Sequence, residues 1–295
     1  MAEGDGSLAL VKKNGNWYFF DTSDSQRAIV PNGGSRVSGS TRYDTMSKLV
    51  AQGGWEEGSP VVLACGDNFP DALSASSLAG DLGGPIVLTD SSYLSDEARD
   101  VLSKVKPKQI FIVGGTVAVS EAVADAASQA TGNCRVTRIA GATRYNTSLE
   151  VMKQLGDFSS DAIVATGSNY ADALSISPYA YATANPVVLC DPDSGLSDTS
   201  IEELVRKGCS RVIIVGGEKA VPNSAEEKLN SAGIKTVRLS GETRYETSQK
   251  IAEFELSSNF GITASGFLLA TGSNFPDALA CRAGRRQSSQ CSLAC

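Results

Sequence analysis

The sequence predicts an α/β fold in tandem copies, each copy a small parallel sheet flanked by helices, with the third copy incomplete. Three observations predict it. First, Arg36-Val-Ser-Gly-Ser-Thr-Arg-Tyr-Asp-Thr45 returns as Arg138 to Thr147 and as Arg238 to Thr247, at spacings of 102 and 100 residues. Second, apolar runs of four to six residues alternate with stretches that carry apolar residues at three- and four-residue steps. The first pattern reads as buried strands and the second as amphipathic helices, and strands alternating with helices pair in parallel through right-handed crossovers. Third, 295 residues with 41% hydrophobic and 20% charged side chains suit two or three globular domains rather than a disordered or fibrous chain.

Taken in order, Leu8 to Asp21 reads as two strands joined at Asn14-Gly15, a strong hairpin signal. Thr22 to Ser35, rich in Ser, Asp, Gly and Pro, reads as a linker, so 1–35 is set apart as an aromatic hairpin and linker. In the first copy, 36–136, Val61 to Ala64, Pro85 to Thr89, Gln109 to Val113 and Arg135 to Ile139 read as buried strands. Arg42 to Gln52, Asp71 to Leu82, Asp96 to Lys104 and Ser120 to Gln129 read as the helices between them. The second copy, 137–236, repeats Pro85 to Asp90 as Pro186 to Asp191 and Ile112 to Gly115 as Ile214 to Gly217. The third, 237–280, has neither segment and is expected to leave an unpaired sheet edge, with aggregation or disorder after about Ser240. The tail at 281–295 looks foreign to the repeats and is expected to be a frameshifted, non-native segment. A period near 100 exceeds the roughly 20 to 50 residues of solenoid repeats, so each copy is expected to hold its own core.

Charge and composition exclude several function classes. With 26 basic and 33 acidic side chains, net charge −7, a general binder of nucleic-acid backbone is not expected. The chain has no His, which removes Ser-His-Asp and Cys-His catalysis and every His-ligated metal site. Its seven Cys form no CxxC pair, so neither a zinc module nor a disulfide scaffold is indicated, and most are expected to be core thiols. Cys65 corresponds to Thr166 and Thr271, and Cys190 to Thr89, which excludes a thiol nucleophile common to the copies. No apolar run is long enough to span a bilayer. Met1 to Leu10 lacks the basic and apolar regions of a secretory signal.

A second recurrent block follows the first predicted strand of each copy: Ala64-Cys-Gly-Asp-Asn-Phe-Pro-Asp-Ala-Leu73, Ala165 to Leu174 and Ala270 to Leu279. Asn68, Asn169 and Asn274 can cap a helix there, and Asp71, Asp172 and Asp277 can sit in its first turn against the helix dipole. The carboxyl ends of parallel strands are also where such sheets bind ligands, so these residues are equally ligand candidates. Thr41, Thr143 and Thr243 stand three residues before an acidic or amide side chain, the spacing of a capping box. That role does not explain Arg42-Tyr43, Arg144-Tyr145 and Arg244-Tyr245 between them, which suit either a module interface or a ligand contact. An ion pair from Arg42 to Asp71 within each module would reconcile the two blocks. Gly114-Gly115 and Gly216-Gly217 read as tight strand-to-helix turns, because no nucleotide fingerprint surrounds them. No catalytic residue, metal site or cofactor is assigned.

In this order and spacing, R-x-x-G-x-x-R-Y-x-T, G-x-N-F-x-D-A-L, P-I-V-L and I-V-G-G resemble the cell wall-binding repeat 2 family over about 260 residues, Arg36 to Leu279. The resemblance implies Rossmann-like modules, usually three packed as a triangle. It also implies noncovalent anchoring of a surface protein to the Gram-positive cell wall through an anionic polymer, a teichoic acid or secondary wall polysaccharide, at the wall or cell surface. Arg42, Arg144 and Arg244, or divalent cations bridging carboxylates such as Asp71 and Asp172, would then meet the polymer. Two alternatives stay open: a regulator or partner of a cell-wall amidase, and an enzyme acting on sugars or nucleotides at the sheet's switch point. The segment Gly15 to Asp21 also looks like a single hairpin of the aromatic wall-binding repeats related to choline-binding modules.

Overall fold

The computed structural model describes residues 37–156 and 160–257, positions 270, 272, 274, 275, 278 and 279, and the backbone of five short strands outside these ranges. Asp277 and all of 281–295 except the strand at 293–294 lie outside the described residues, as do Asn14-Gly15. At the start of the chain, β1 (Leu8–Lys13) and β2 (Asn16–Asp21) pair antiparallel, with Lys13 opposite Asn16. A third strand, β3 (Ala28–Ile29), joins Phe19 and Phe20. It lies inside the stretch expected to be a linker, where the apolar run Ala28 to Val30 gives the backbone a sheet to join.

The first module contains α1 (Arg42–Gly53), β4 (Val61–Cys65), a 3-10 turn (Asp71–Ser74), α2 (Ala75–Leu82) and β5 (Ile86–Thr89). It continues with α3 (Asp96–Val105), β6 (Gln109–Val113), α4 (Glu121–Ala130) and β7 (Arg135–Ile139). The second repeats this as α5 (Arg144–Gln154), β8 (Asp161–Thr166), α6 (Ala171–Ser175), α7 (Ser177–Thr183), β9 (Val187–Cys190), α8 (Asp198–Arg206), β10 (Arg211–Val215), α9 (Asn223–Ser231) and β11 (Lys235–Leu239). Each forms a four-stranded parallel sheet, in the orders β5-β4-β6-β7 and β9-β8-β10-β11. The chain direction across each sheet reverses beside its first strand, which opens a switch-point crevice at the carboxyl ends of β4 and β6 and of β8 and β10.

The last strands differ from the sequence expectation. Arg135–Ile139 is an edge strand with one buried residue, Ile139. Its Arg, Val, Thr, Arg, Ile alternation suits one covered face, unlike the continuously buried Val61–Cys65.

The copies also do not keep separate cores. One apolar cluster runs from Val61, Leu63 and Ile112 through Ile163, Leu189 and Ile213 to Ile251, Ala278 and Leu279. The alternate residues of the second sheet, Ala162, Val164, Val188, Val212 and Ile214, face a second cluster with Leu149, Met152, Leu204 and Leu229. The fusion runs through a close contact between two helices. The helix α2, rich in Ala, Ser and Gly, packs on α7, so close that a Cβ on Gly80 would overlap the backbone of Tyr181. The Tyr181 hydroxyl then donates to the carbonyl of Gly84 at 3.2 Å. Tyr179 and Tyr181 of α7 belong to the same apolar cluster as Leu78 and Ala79 of α2, so this contact joins the two copies' cores.

The third copy supplies α10 (Arg244–Ser257) and β12 (Leu268–Leu269). α10 packs against α6, and Phe254 meets the buried ring of Tyr179 edge-on at 5.4 Å. β12 pairs in parallel with β13 (Leu293–Ala294). One edge expected to stay open is therefore taken by the segment that looked foreign, through backbone hydrogen bonds that do not depend on side-chain identity.

Candidate functional site

The recurrent motif first builds three equivalent helix starts. Thr41, Thr143 and Thr243 accept from the backbone N–H of Asp44, Asn146 and Glu246 at 3.0, 3.3 and 3.2 Å, which satisfies donors that the helix leaves open. Thr45, Thr147 and Thr247 accept from Gly39, Gly141 and Gly241 N–H at 3.0, 3.2 and 3.0 Å. Those glycines press on the first helical turn, where a Cβ would overlap its backbone. Gly, Thr and Thr of the motif thus fix the direction in which the intervening Arg and Tyr leave each helix.

The tyrosines take unequal places. Tyr43 is buried against Gly66, at which a Cβ would lie 2.6 Å from Tyr43 Cε1, and its hydroxyl donates to Asp67 at 2.6 Å. Burial, reinforced by Asp67, holds this phenol well above its ordinary range. Tyr145 packs on Gly167 in the same way and pairs with Asp191. Tyr245 stands 53% exposed.

The arginines meet at one place. Arg42, Arg144 and Arg244 donate to the carbonyls of Gly66, Gly167 and Gly272 at 2.5, 2.7 and 2.6 Å. Each guanidinium then lies over an aromatic ring from another module: Arg144 over Phe69 at 6.0 Å, Arg244 over Tyr170 at 5.6 Å and Arg42 over Phe275 at 5.5 Å. The three rings close a triangle with centroids 5.5, 5.5 and 5.8 Å apart, in the edge-on and tilted geometries that aromatic quadrupoles favour. Tyr170 adds a polar link, since Arg244 donates to its hydroxyl at 3.2 Å. Among the described residues, none of the three arginines makes an ion pair within 4 Å.

Asn68, Asn169 and Asn274 rim this cluster on the exposed side and accept from the next residue's N–H at 3.0, 2.7 and 2.9 Å. Asp71 and Asp172 lie in the first turns of their helical segments, at the switch points. Their carboxylates press on Gly114 and Gly216, where a Cβ would fall 2.9 and 2.5 Å from Asp71 Oδ2 and Asp172 Oδ2. These two glycines also have φ of +120° and +105°, a region that L side chains rarely adopt, whereas Gly115 and Gly217 have open space beside them. Among the described residues, the expected ion pair inside a module is not formed in the first two copies. Asp71 faces Arg144 and the Thr147 hydroxyl of the second module, and Asp172 faces Arg244 of the third. The sequence does not register this shift, because identical motifs leave no mark of which copy meets which. Burial raises both carboxyls above the ordinary range, against the pull of those partners.

The buried thiols among the described residues are held protonated. Burial pushes the Cys190 and Cys209 thiols up to about 12 and about 11 and raises Cys65, so none is a thiolate at neutral pH. Among the described residues no group of three or more His, Cys, Asp or Glu is placed to hold a metal ion, and the guanidinium beside each switch-point carboxylate opposes a bridging cation. No helix among them is long and apolar enough to cross a membrane.

Residues 36–124, 138–226 and 238–288 match the family described as Cell wall binding domain 2 (CWB2). The chain is 32% identical over 253 residues to N-acetylmuramoyl-L-alanine amidase LytC of Bacillus subtilis (strain 168), a match covering 86% of this chain and 48% of that protein. It is 30% identical over 244 residues to the Amidase enhancer of the same organism, covering 83% of this chain and 32% of that protein. Among solved structures it resembles Cwp8 from Clostridium difficile, with TM-score 0.76, 28% identity and coverage of 88% of this chain and 44% of that one. The chain thus spans about half or less of each of these relatives.

Proposed function

The chain belongs to the Cell wall binding domain 2 family, and on that premise we propose that it holds a surface protein noncovalently to the Gram-positive cell wall by binding an anionic wall polymer. Teichoic acid and secondary wall polysaccharide are the polymers of suitable charge. The observation that carries this reading is the convergence of Arg42, Arg144 and Arg244 over the triangle of Phe69, Tyr170 and Phe275. Each guanidinium commits one nitrogen to a glycine carbonyl, and among the described residues none of the three makes an ion pair within 4 Å, so a phosphate or carboxylate is the partner to which Arg is best suited. The cluster also bears on the net charge of −7, because it gathers three positive charges in one place. A composite of three modules gives one site per chain, with Asn68, Asn169 and Asn274 available at its rim.

The reading is non-enzymatic. At the two described switch points a carboxylate lies against glycine and faces the next module's arginine, and no nucleophile common to the copies stands beside it. Replacing all three arginines with Gln tests the proposal: sedimentation with purified walls should fall by at least tenfold while the melting curve stays cooperative. Unchanged sedimentation would contradict it. A second reading, partnership with a wall amidase, is favoured by the names of the two B. subtilis relatives. Capture of a wall hydrolase by the chain, with no binding to purified wall, would give that reading priority.

A further inference from the structure

The three corners of the aromatic triangle are built alike except at one atom. Phe69 and Phe275 end in hydrogen where Tyr170 carries a hydroxyl, and that hydroxyl closes a ring of hydrogen bonds with the third module. It accepts from Arg244 Nη1 at 3.2 Å and donates to the carbonyl of buried Gly272 at 3.4 Å, while the same Nη1 donates to that carbonyl at 2.6 Å. A guanidinium Nη carries two hydrogens, so both on Arg244 Nη1 are committed. Arg144 Nη1 makes one hydrogen bond among the described residues, to the Gly167 carbonyl at 2.7 Å, and its guanidinium lies over a ring with no hydroxyl to take the other hydrogen.

This difference decides what each arginine can offer an anion. A phosphate or carboxylate is gripped best when two N–H groups leave one edge of the guanidinium in parallel. The end edge needs one hydrogen from each Nη, and on Arg244 that edge is spent on Tyr170 and Gly272. Turning it to a ligand would strip the buried Gly272 carbonyl of a donor at 2.6 Å, a loss that a buried acceptor does not recover from water. We propose that Tyr170 is a positioning residue that withdraws Arg244 from the polymer and makes it a latch between the second and third modules. The polymer's phosphate groups are then taken by Arg144, and by Arg42 over the equally bare ring of Phe275. This rests on the anchoring reading above and says which of the site's arginines grip.

The test is equilibrium binding of the full chain to unsubstituted polyglycerol phosphate at neutral pH and fixed ionic strength, with cooperative melting checked for each variant. R144Q should weaken binding about tenfold, the loss of one charge-assisted grip, and R244Q by less than about twofold. Y170F keeps the ring and removes only the hydroxyl. In that background R244Q should weaken binding by about threefold or more, because Arg244 has been released to the ligand. Equal losses for R144Q and R244Q, or the same small effect of R244Q with and without the hydroxyl, overturn the inference and leave anchoring intact. Absence of binding by folded wild type overturns both. Should R244Q fail to fold, the arginine side-chain Nε–H signals of wild type decide: polymer that moves Arg144 and not Arg244 supports the inference, and equal movement overturns it.

Discussion

Removing the Phe69 ring takes away one corner of the aromatic triangle and so tests whether the three copies are held together there. Phe69 meets Tyr170 and Phe275 at 5.5 Å each, with interplanar angles of 68° and 63°. Each such pair is worth about 0.5–1.5 kcal/mol beyond burial, and the Arg144 guanidinium at 6.0 Å adds about 0.5–1 kcal/mol. A fully buried Phe gains roughly 1.5–3 kcal/mol from leaving water, and the half-buried Phe69 about half of that. Because the contacts share one cluster and do not add fully, F69A is expected to lose about 2–4 kcal/mol. Guanidinium chloride unfolding measures it, with V117A as control, since Val117 is 94% exposed and its loss should stay within about 0.5 kcal/mol. The double variant F69A/F275A should then cost less than its two parts together. An F69A protein within about 0.5 kcal/mol of wild type would refute a load carried by the triangle.

Three further outcomes are expected. G66A inserts a methyl 2.6 Å from Tyr43 Cε1 and should cost about 1–3 kcal/mol by forcing the ring from its place, read as a lower unfolding midpoint and greater Tyr fluorescence change on quenching. T143A removes the acceptor for the Asn146 N–H and should cost about 1 kcal/mol in the same assay. Asp191 is held down to about 2 by the Ser194 N–H and the Tyr145 hydroxyl. Since its folded value lies below its unfolded one, its stabilisation is present above the ordinary carboxylate range and is lost as pH falls toward 2. D191N should therefore melt lower than wild type at pH 7 and alike at pH 2, and an equal gap at both would contradict the assignment.

The parts of the fold visible in sequence are those decided locally. Continuous apolar runs such as Val61–Cys65 name buried strands, and Thr three residues before Asp, Asn or Glu names the helix starts. What sequence could not decide is which copy meets which. Arg42 and Asp71 recur together, so a pair within a module and a pair between modules leave the same trace, and only chain geometry places Asp71 against Arg144. The shared core was hidden for a related reason: the small residues of α2 read as ordinary helix formers until Gly80 is seen on the Tyr181 backbone. Edge position likewise governs β7, whose alternation was present in Arg135–Ile139 but outweighed by its place in an α/β repeat. Tyr170, which joins two modules through its ring and hydroxyl, was legible only as an aromatic shared with Phe69 and Phe275.

Cosedimentation of the chain with purified Gram-positive walls, before and after acid stripping of their anionic polymers, tests the central claim most directly. The account predicts binding to intact walls that is lost on stripping and weakened by salt, as a cluster of guanidinium groups requires. Equal binding to intact and stripped walls, or none to either by folded protein, would contradict it.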